Sequence, residues 1–171
     1  MSALAHNAIE TMPELNETIA SVFSDRYLQN AKRVHDLAAP LTEAQFWQMP
    51  FPYGNSFGHL VLHLTGNLNY YIGAQIAKTG YVRDRPREFT DPAPLQKAEA
   101  LIPFDEAIAM VLRTIRVQSP ADWSAEYSGS GTDAKNRLEI VMTCAAHMQL
   151  HIGQMIYLGY ELTSQPATGS R

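Results

Sequence analysis

Residues 134–162 read AKNRLEIVMTCAAHMQLHIGQMIYLGYEL. Ile140, Val141, Cys144, Met148, Ile152, Met155, Leu158 and Leu162 recur at steps of three and four, the period of a helix that buries one face. His147 and His151 fall within that stripe, one turn apart. The segment therefore predicts a long helix that points two imidazoles at whatever it packs against.

Working outward, three more segments carry helical spacing. Residues 12–38 place Met12, Leu15, Ile19, Val22, Phe23 and Leu37 on one stripe, and Pro40 stops it. Residues 56–79 place Phe57, Leu60, Val61, Leu64, Leu68, Tyr71 and Ile72 on another, with Asn55 or Ser56 as cap and Gly80 as stop. Residues 104–118 carry Ile108, Val111, Leu112 and Ile115, between Pro103 and Pro120. No alternating strand pattern, repeat or domain-splitting linker is visible. Four amphipathic stripes in 171 residues predict an all-α fold, a four-helix bundle in one domain with a core over residues 12–162 and a disordered C-terminal tail.

The connection 80–103 is too long and too rich in proline for a tight turn. The second helix would be about 35 Å long at ~1.5 Å per residue, and the linker can return along it at ~3.3 Å per residue. A long crossover should thus set the second and third helices parallel.

Composition removes several function classes. Hydrophobic residues make up 46% and charged residues 18%, an ordinary globular balance, and the net charge is −4. Without a basic surplus there is nothing to grip a phosphate backbone, so no nucleic acid is expected as partner. No run of about twenty apolar residues exists to span a membrane. The first residues lack the basic start and apolar run of a secretory signal. The single cysteine, Cys144, allows no internal disulfide. The expected location is the cytoplasm.

Six histidines are present. His6 and His35 read as solvated. The pair His147 and His151 needs partners, because leaving buried polar groups unsatisfied costs about 1–3 kcal/mol each. A shared metal ion would satisfy both; separate carbonyls or carboxylates are the plain alternative. The second helix carries another such pair, His59 and His63, in SFGHLVLHL, and a bundle can bring the two helices side by side. Three histidines with an open position make a reactive site, whereas four would close it, and spacing alone leaves His59 undecided. Gln154 is a candidate to orient a ligand imidazole, and Asn67 and Tyr70 to line a pocket over the site. Gly153 reads as a place where another helix approaches, and Cys144 as a small buried hydrophobe. Arg26 and Asn30 lie near the stripe of the first helix, where an arginine either meets a substrate carboxylate or snorkels. No H-E-x-x-H, phosphate-cradling glycine loop, nucleophile elbow or redox cysteine pair occurs.

The run SFGHLVLH at residues 56–63, followed late in the chain by HMQLHIGQ at residues 147–154, resembles the DinB-like superfamily of bacterial helical metal-binding proteins. Ser56, Gly58, His63, His147, His151, Gly153 and Gln154 carry the resemblance. It implies that His63, His147 and His151 hold one divalent transition metal, zinc or nickel, and that His59 occupies a position the family does not use as a ligand. The superfamily is similar to a group of transferases and isomerases that employ low-molecular-weight thiols, which implies a metal-dependent transferase acting on a small-molecule substrate. A metal-dependent hydrolase and a non-catalytic, metal-stabilised or sensor protein are the alternatives, as is a homodimeric interaction module whose histidines only hydrogen-bond. A homodimer is expected in any case. No carboxylate stands beside the histidines in the sequence, so a general base is not legible there.

Overall fold

The computed structural model describes residues 3–90 and 96–164, with side chains from residue 14 onward; the side chains of His6 and Met12 and the expected C-terminal tail fall outside what is described. Its elements are α1 (Ala3–Ala38), α2 (Glu43–Trp47), α3 (Phe57–Leu68) continued by a π-helical turn (Asn69–Ala74), α4 (Arg87–Thr90), α5 (Lys97–Arg116), α6 (Pro120–Ser124) and α7 (Arg137–Ser164). Among the described residues there is no strand, only an isolated bridge between Glu126 and Asn136, and no helix long and apolar enough to cross a membrane.

Local chemistry starts these helices. The Ser56 hydroxyl accepts from the His59 N–H at 3.1 Å and opens α3. Reciprocal capping boxes start α2 (Thr42 and Gln45), α5 (Gln96 and Glu99) and α6 (Ser119 and Asp122). The Asn136 side-chain Oδ1 accepts from the Glu139 N–H and starts α7. Gln96 and Glu99 explain why α5 begins at Lys97 rather than at Phe104. Pro103 then lies inside the helix, where it forfeits one backbone hydrogen bond while buried Ala100 and Phe104 hold the first turns to the core.

Four long helices, α1, α3, α5 and α7, form the bundle. Tyr27 OH donates to the Val141 carbonyl and Asn30 Nδ2 to that of Ala145, so α1 and α7 run parallel. Lys97 Nζ donates to the Ala38 carbonyl while Asn16 Nδ2 donates to that of Gln118, so α1 and α5 run antiparallel. The short α2 ties the starts of α3 and α5 together. Phe46 packs on Phe57 at 5.4 Å, and Glu43 accepts from the Lys97 N–H. Gly73 meets Met110 at the far ends, which makes α3 and α5 parallel. The crossover expected between the second and third helices is therefore present, and it contains α4.

The stripe expected of the first helix is corrected over its N-terminal half. Leu15 and Val22 are exposed, and Tyr27, Val34 and Ala38 carry the buried face. The reason is tertiary: Tyr27 already meets Val141 in the second turn of α7, so earlier residues are covered mainly beyond its start, where Trp123 of α6 meets Phe23 and Asn16 and Gln118 bonds to Asn16. His35 is also not simply solvated. It is half-buried, and its Nε2 lies 2.6 Å from Asp105 of α5.

Candidate metal centre

Antiparallel packing of α3 on α7 brings His63 against His147 and His151. The His147 Nε2 lies 2.9 Å from the His63 Nε2 and 3.1 Å from the His151 Nε2. Among the described residues these three form the one group of candidate ligands, with all the ligand atoms within 4.8 Å of one another. His63 is buried and the other two are half-buried.

Tautomer chemistry decides what such a cluster is. The His63 Nδ1 donates to the Glu88 carboxylate at 2.7 Å, and the His151 Nδ1 donates to the Gln154 Oε1 at 2.7 Å. In the neutral rings those bonds leave the Nε2 lone pairs of both facing the centre. Three converging acceptors with one proton among them at most cannot satisfy one another. A cation satisfies all three. Nitrogens each ~2.1 Å from one ion sit about 3.0 Å apart at right angles and about 3.4 Å apart at the tetrahedral angle. The two spacings from His147 fit that donor set. Burial, with His151, His63 and Arg83 adding to it, pushes the His147 pKa down to about 4. Burial likewise lowers that of His151, against the hydrogen bond it donates to Gln154. Both imidazoles are thus held neutral, the form a metal requires.

The crossover supplies the support that the sequence hid. Glu88 on α4 is buried, and Arg83 clamps it, Nε to Oε1 at 2.6 Å and Nη2 to Oε2 at 2.9 Å. Burial alone would raise the Glu88 carboxyl; the hydrogen bonds from His63 and Arg83 outweigh it and hold the group below its ordinary value. A carboxylate behind a histidine fixes the ring and raises its basicity. The approach depends on Gly66, where a Cβ would stand 2.1 Å from the Glu88 Oε1. A glycine one turn past His63, inside an apolar stripe, was the available sign that something packs there.

The remaining candidates separate cleanly. His59 is outside the cluster and packs edge-on against Trp47 at 5.8 Å. Gly58, on the same turn, admits the Trp47 ring, which a Cβ would meet at 2.5 Å. Asn67 and Tyr71 line a cavity beside His147. Tyr70 does not line it and instead pairs with Ser130 at 2.9 Å. The π-helical turn from Asn69 adds a residue and so rotates the later positions about the axis. Cys144 is buried in the core. Asn30 is buried and bonds to Ala145 and Gln149 of α7, and Arg26 is exposed in a groove between α1 and α7, beside Met142 and Gln149 and away from the histidines. A Cβ on Gly153 would meet nothing within 4 Å, so no helix of this chain approaches it among the described residues.

Comparison with known proteins agrees with this architecture. The structure is similar to the crystal structure of a conserved protein from Enterococcus faecalis, with a TM-score of 0.70 and 16% sequence identity, covering 85% of this chain and 97% of that one. At that identity the fold is what is shared. No curated protein matches. The family model of the DinB superfamily matches residues 26–155, from within α1 to late α7, and takes in all three clustered histidines: the chain belongs to the DinB superfamily.

Proposed function

We propose that His63, His147 and His151 hold one divalent transition metal, zinc or nickel, through their Nε2 atoms, and that the protein uses it to activate a low-molecular-weight thiol for transfer to a small electrophile. The observation that carries the metal reading is the convergence of three Nε2 atoms whose rings are oriented from behind by Glu88 and Gln154. The thiol reading draws on the family resemblance and on a half-buried His151 beside an exposed Gln154, which leave an approach to the site. When bound, such an ion acts as a Lewis acid that lowers the pKa of a neighbouring thiol or water. The chain's own residues do the rest. Glu88 and Gln154 orient the His63 and His151 rings, and burial keeps His147 and His151 neutral.

Elemental analysis of the purified protein, followed by titration of the cobalt-loaded form with bacterial low-molecular-weight thiols, tests this. A sulfur-to-metal charge-transfer band that saturates for one of them supports it. If neither thiols nor azide perturb the spectrum, the coordination sphere is closed, and a structural or sensor role replaces the enzymatic one.

The working location in this reading is the cytoplasm, where thiols stay reduced. The working form is a homodimer. α7 exposes Met142, Leu150, Tyr157 and Tyr160 and carries no charge between Glu139 and Glu161. Sedimentation analysis of the metal-loaded protein checks the dimer.

A further inference from the structure

The crossover carries two arginines to the histidine cluster and pairs only one of them. Arg83 occupies both oxygens of Glu88. Arg85, two residues on, is exposed and makes no ion pair among the described residues. Its contact is with a ring. The guanidinium carbon stands 6.0 Å from the centroid of Phe89, and the Phe89 ring in turn lies 5.0 Å from that of His63. Stacking on an aromatic face holds a guanidinium in place and leaves its N–H donors free. The same charge is felt across the cluster, where Arg83 and Arg85 both act on His147.

A lone cation there works against a metal centre, because it repels the ion. Glu88 cannot cancel it while Arg83 holds both carboxylate oxygens. Nor does Arg85 tie distant parts of the fold together, since Phe89 lies only four residues on. An anion arriving with the substrate offsets that repulsion. We propose that Arg85 binds the carboxylate end of the molecule whose thiol is activated at the histidine cluster, and so makes the site selective for anionic thiols over neutral ones. This role rests on the metal reading of the cluster, which supplies the other end of the molecule. The planar fork of a guanidinium matches a carboxylate. The Phe89 ring lies between Arg85 and His63, so the carboxylate must stand several bonds from the sulfur. The chain as a whole carries a net charge of −4 and repels such a molecule at long range. The ion together with Arg85 reverses that field at the mouth of the site.

The test compares 4-mercaptobutyrate with its neutral amide, 4-mercaptobutyramide, on the cobalt-loaded protein. Both carry the same sulfur reporter on the same chain. The acid should saturate the sulfur-to-metal band at about a fivefold lower concentration in dilute buffer, and added salt should narrow the gap. Arg85→Gln should bring the two midpoints within about twofold of each other. Arg87→Gln is the control. It removes an equal charge from a different groove, the one lined by Leu62, Tyr81 and Asp84, and should keep the preference. Equal midpoints in the wild type, or a preference that survives in Arg85→Gln, overturn the role of Arg85 and leave the metal reading standing. Loss of the preference in both variants overturns it as well, because net charge alone then accounts for the selectivity. If neither thiol nor azide perturbs the spectrum, the open metal site has failed instead. An NMR titration of the protein as purified with butyrate then decides Arg85 alone. Shifts centred on Arg85 and Phe89, with those of Phe89 lost in Arg85→Gln, support it, and their absence overturns it.

Discussion

The two sides of the histidine cluster are built by opposite rules. On the His63 side, the buried imidazole, the buried Glu88 and the half-buried Arg83 are bonded in series, with Gly66 giving Glu88 room. On the His147 side there is a neutral cavity and an amide oxygen without a partner. A fully satisfied buried network is rigid and costly to disturb. The first side holds a ligand ring in place. The second leaves space beside His147.

The largest expected effect lies at the cluster itself. His151→Ala should abolish stoichiometric metal binding in elemental analysis, while His59→Ala, against Trp47, should leave it intact; the reverse pattern would break the assignment of sides. Next comes the clamp. Glu88→Ala strands the half-buried Arg83 guanidinium, which costs about 1–3 kcal/mol in urea unfolding, and weakens metal affinity about 10–100-fold. Replacing Arg83 by Met together with Glu88→Met should recover most of the stability but not the affinity. An affinity unaffected by Glu88→Ala would make the two sides equivalent.

Gly66→Ala sharpens the comparison with a single methyl group. The new Cβ would overlap the Glu88 carboxylate, so a loss of about 1–3 kcal/mol is expected, and metal affinity should fall with it. An Asn67→Leu protein measured alongside should lose neither, since no bonded partner depends on its oxygen.

A pH series reads the core beneath the cavity. Burial, opposed by Arg83, pushes the Cys144 thiol up to about 12. The folded chain therefore keeps a proton that the unfolded chain releases from about pH 8.5. The sign follows: stability is full below about pH 8.5 and declines as pH rises toward 12. Urea midpoints of the wild type should fall more steeply over that window than those of Cys144→Ala. Equal slopes would show Cys144 to be more solvated than its burial indicates.

The smallest effect belongs to Gly153. With open space around its Cβ position, Gly153→Ala should stabilise the helix by about 1 kcal/mol and leave metal content unchanged. Destabilisation on thermal melting would mean that a second copy of the chain occupies that face.

Much of this molecule was legible before any tertiary contact. Helical periodicity gave the four long helices, and the proline-rich 80–103 segment gave the crossover. The H-x-x-x-H spacing put His147 and His151 on one face, because side chains four apart on a helix must stack. Gln154 was legible for the same reason, lying one turn beyond His151 and bonding to it. The sequence even held the choice between His63 and His59, but only through resemblance; periodicity could not separate two histidines that both flank a stripe.

What only the tertiary structure decided came from segments without periodicity. Glu88 and Arg83 lie in a crossover whose charges look solvated in one dimension. Only the packing of α4 against Gly66 desolvates them, and desolvation is what turns a surface acid into a ring-orienting one. The exchange of Tyr70 for Tyr71 at the cavity followed from a π-helical turn, a backbone detail that a 3.6-residue period does not encode. The loop at the cavity is held by Tyr70 and Tyr71, whose hydroxyls reach across 60 residues to Ser130 and Gly131. Local spacing specifies which side chains share a face. It cannot specify what a distant loop brings to that face, because that depends on free energies settled only when the whole core closes.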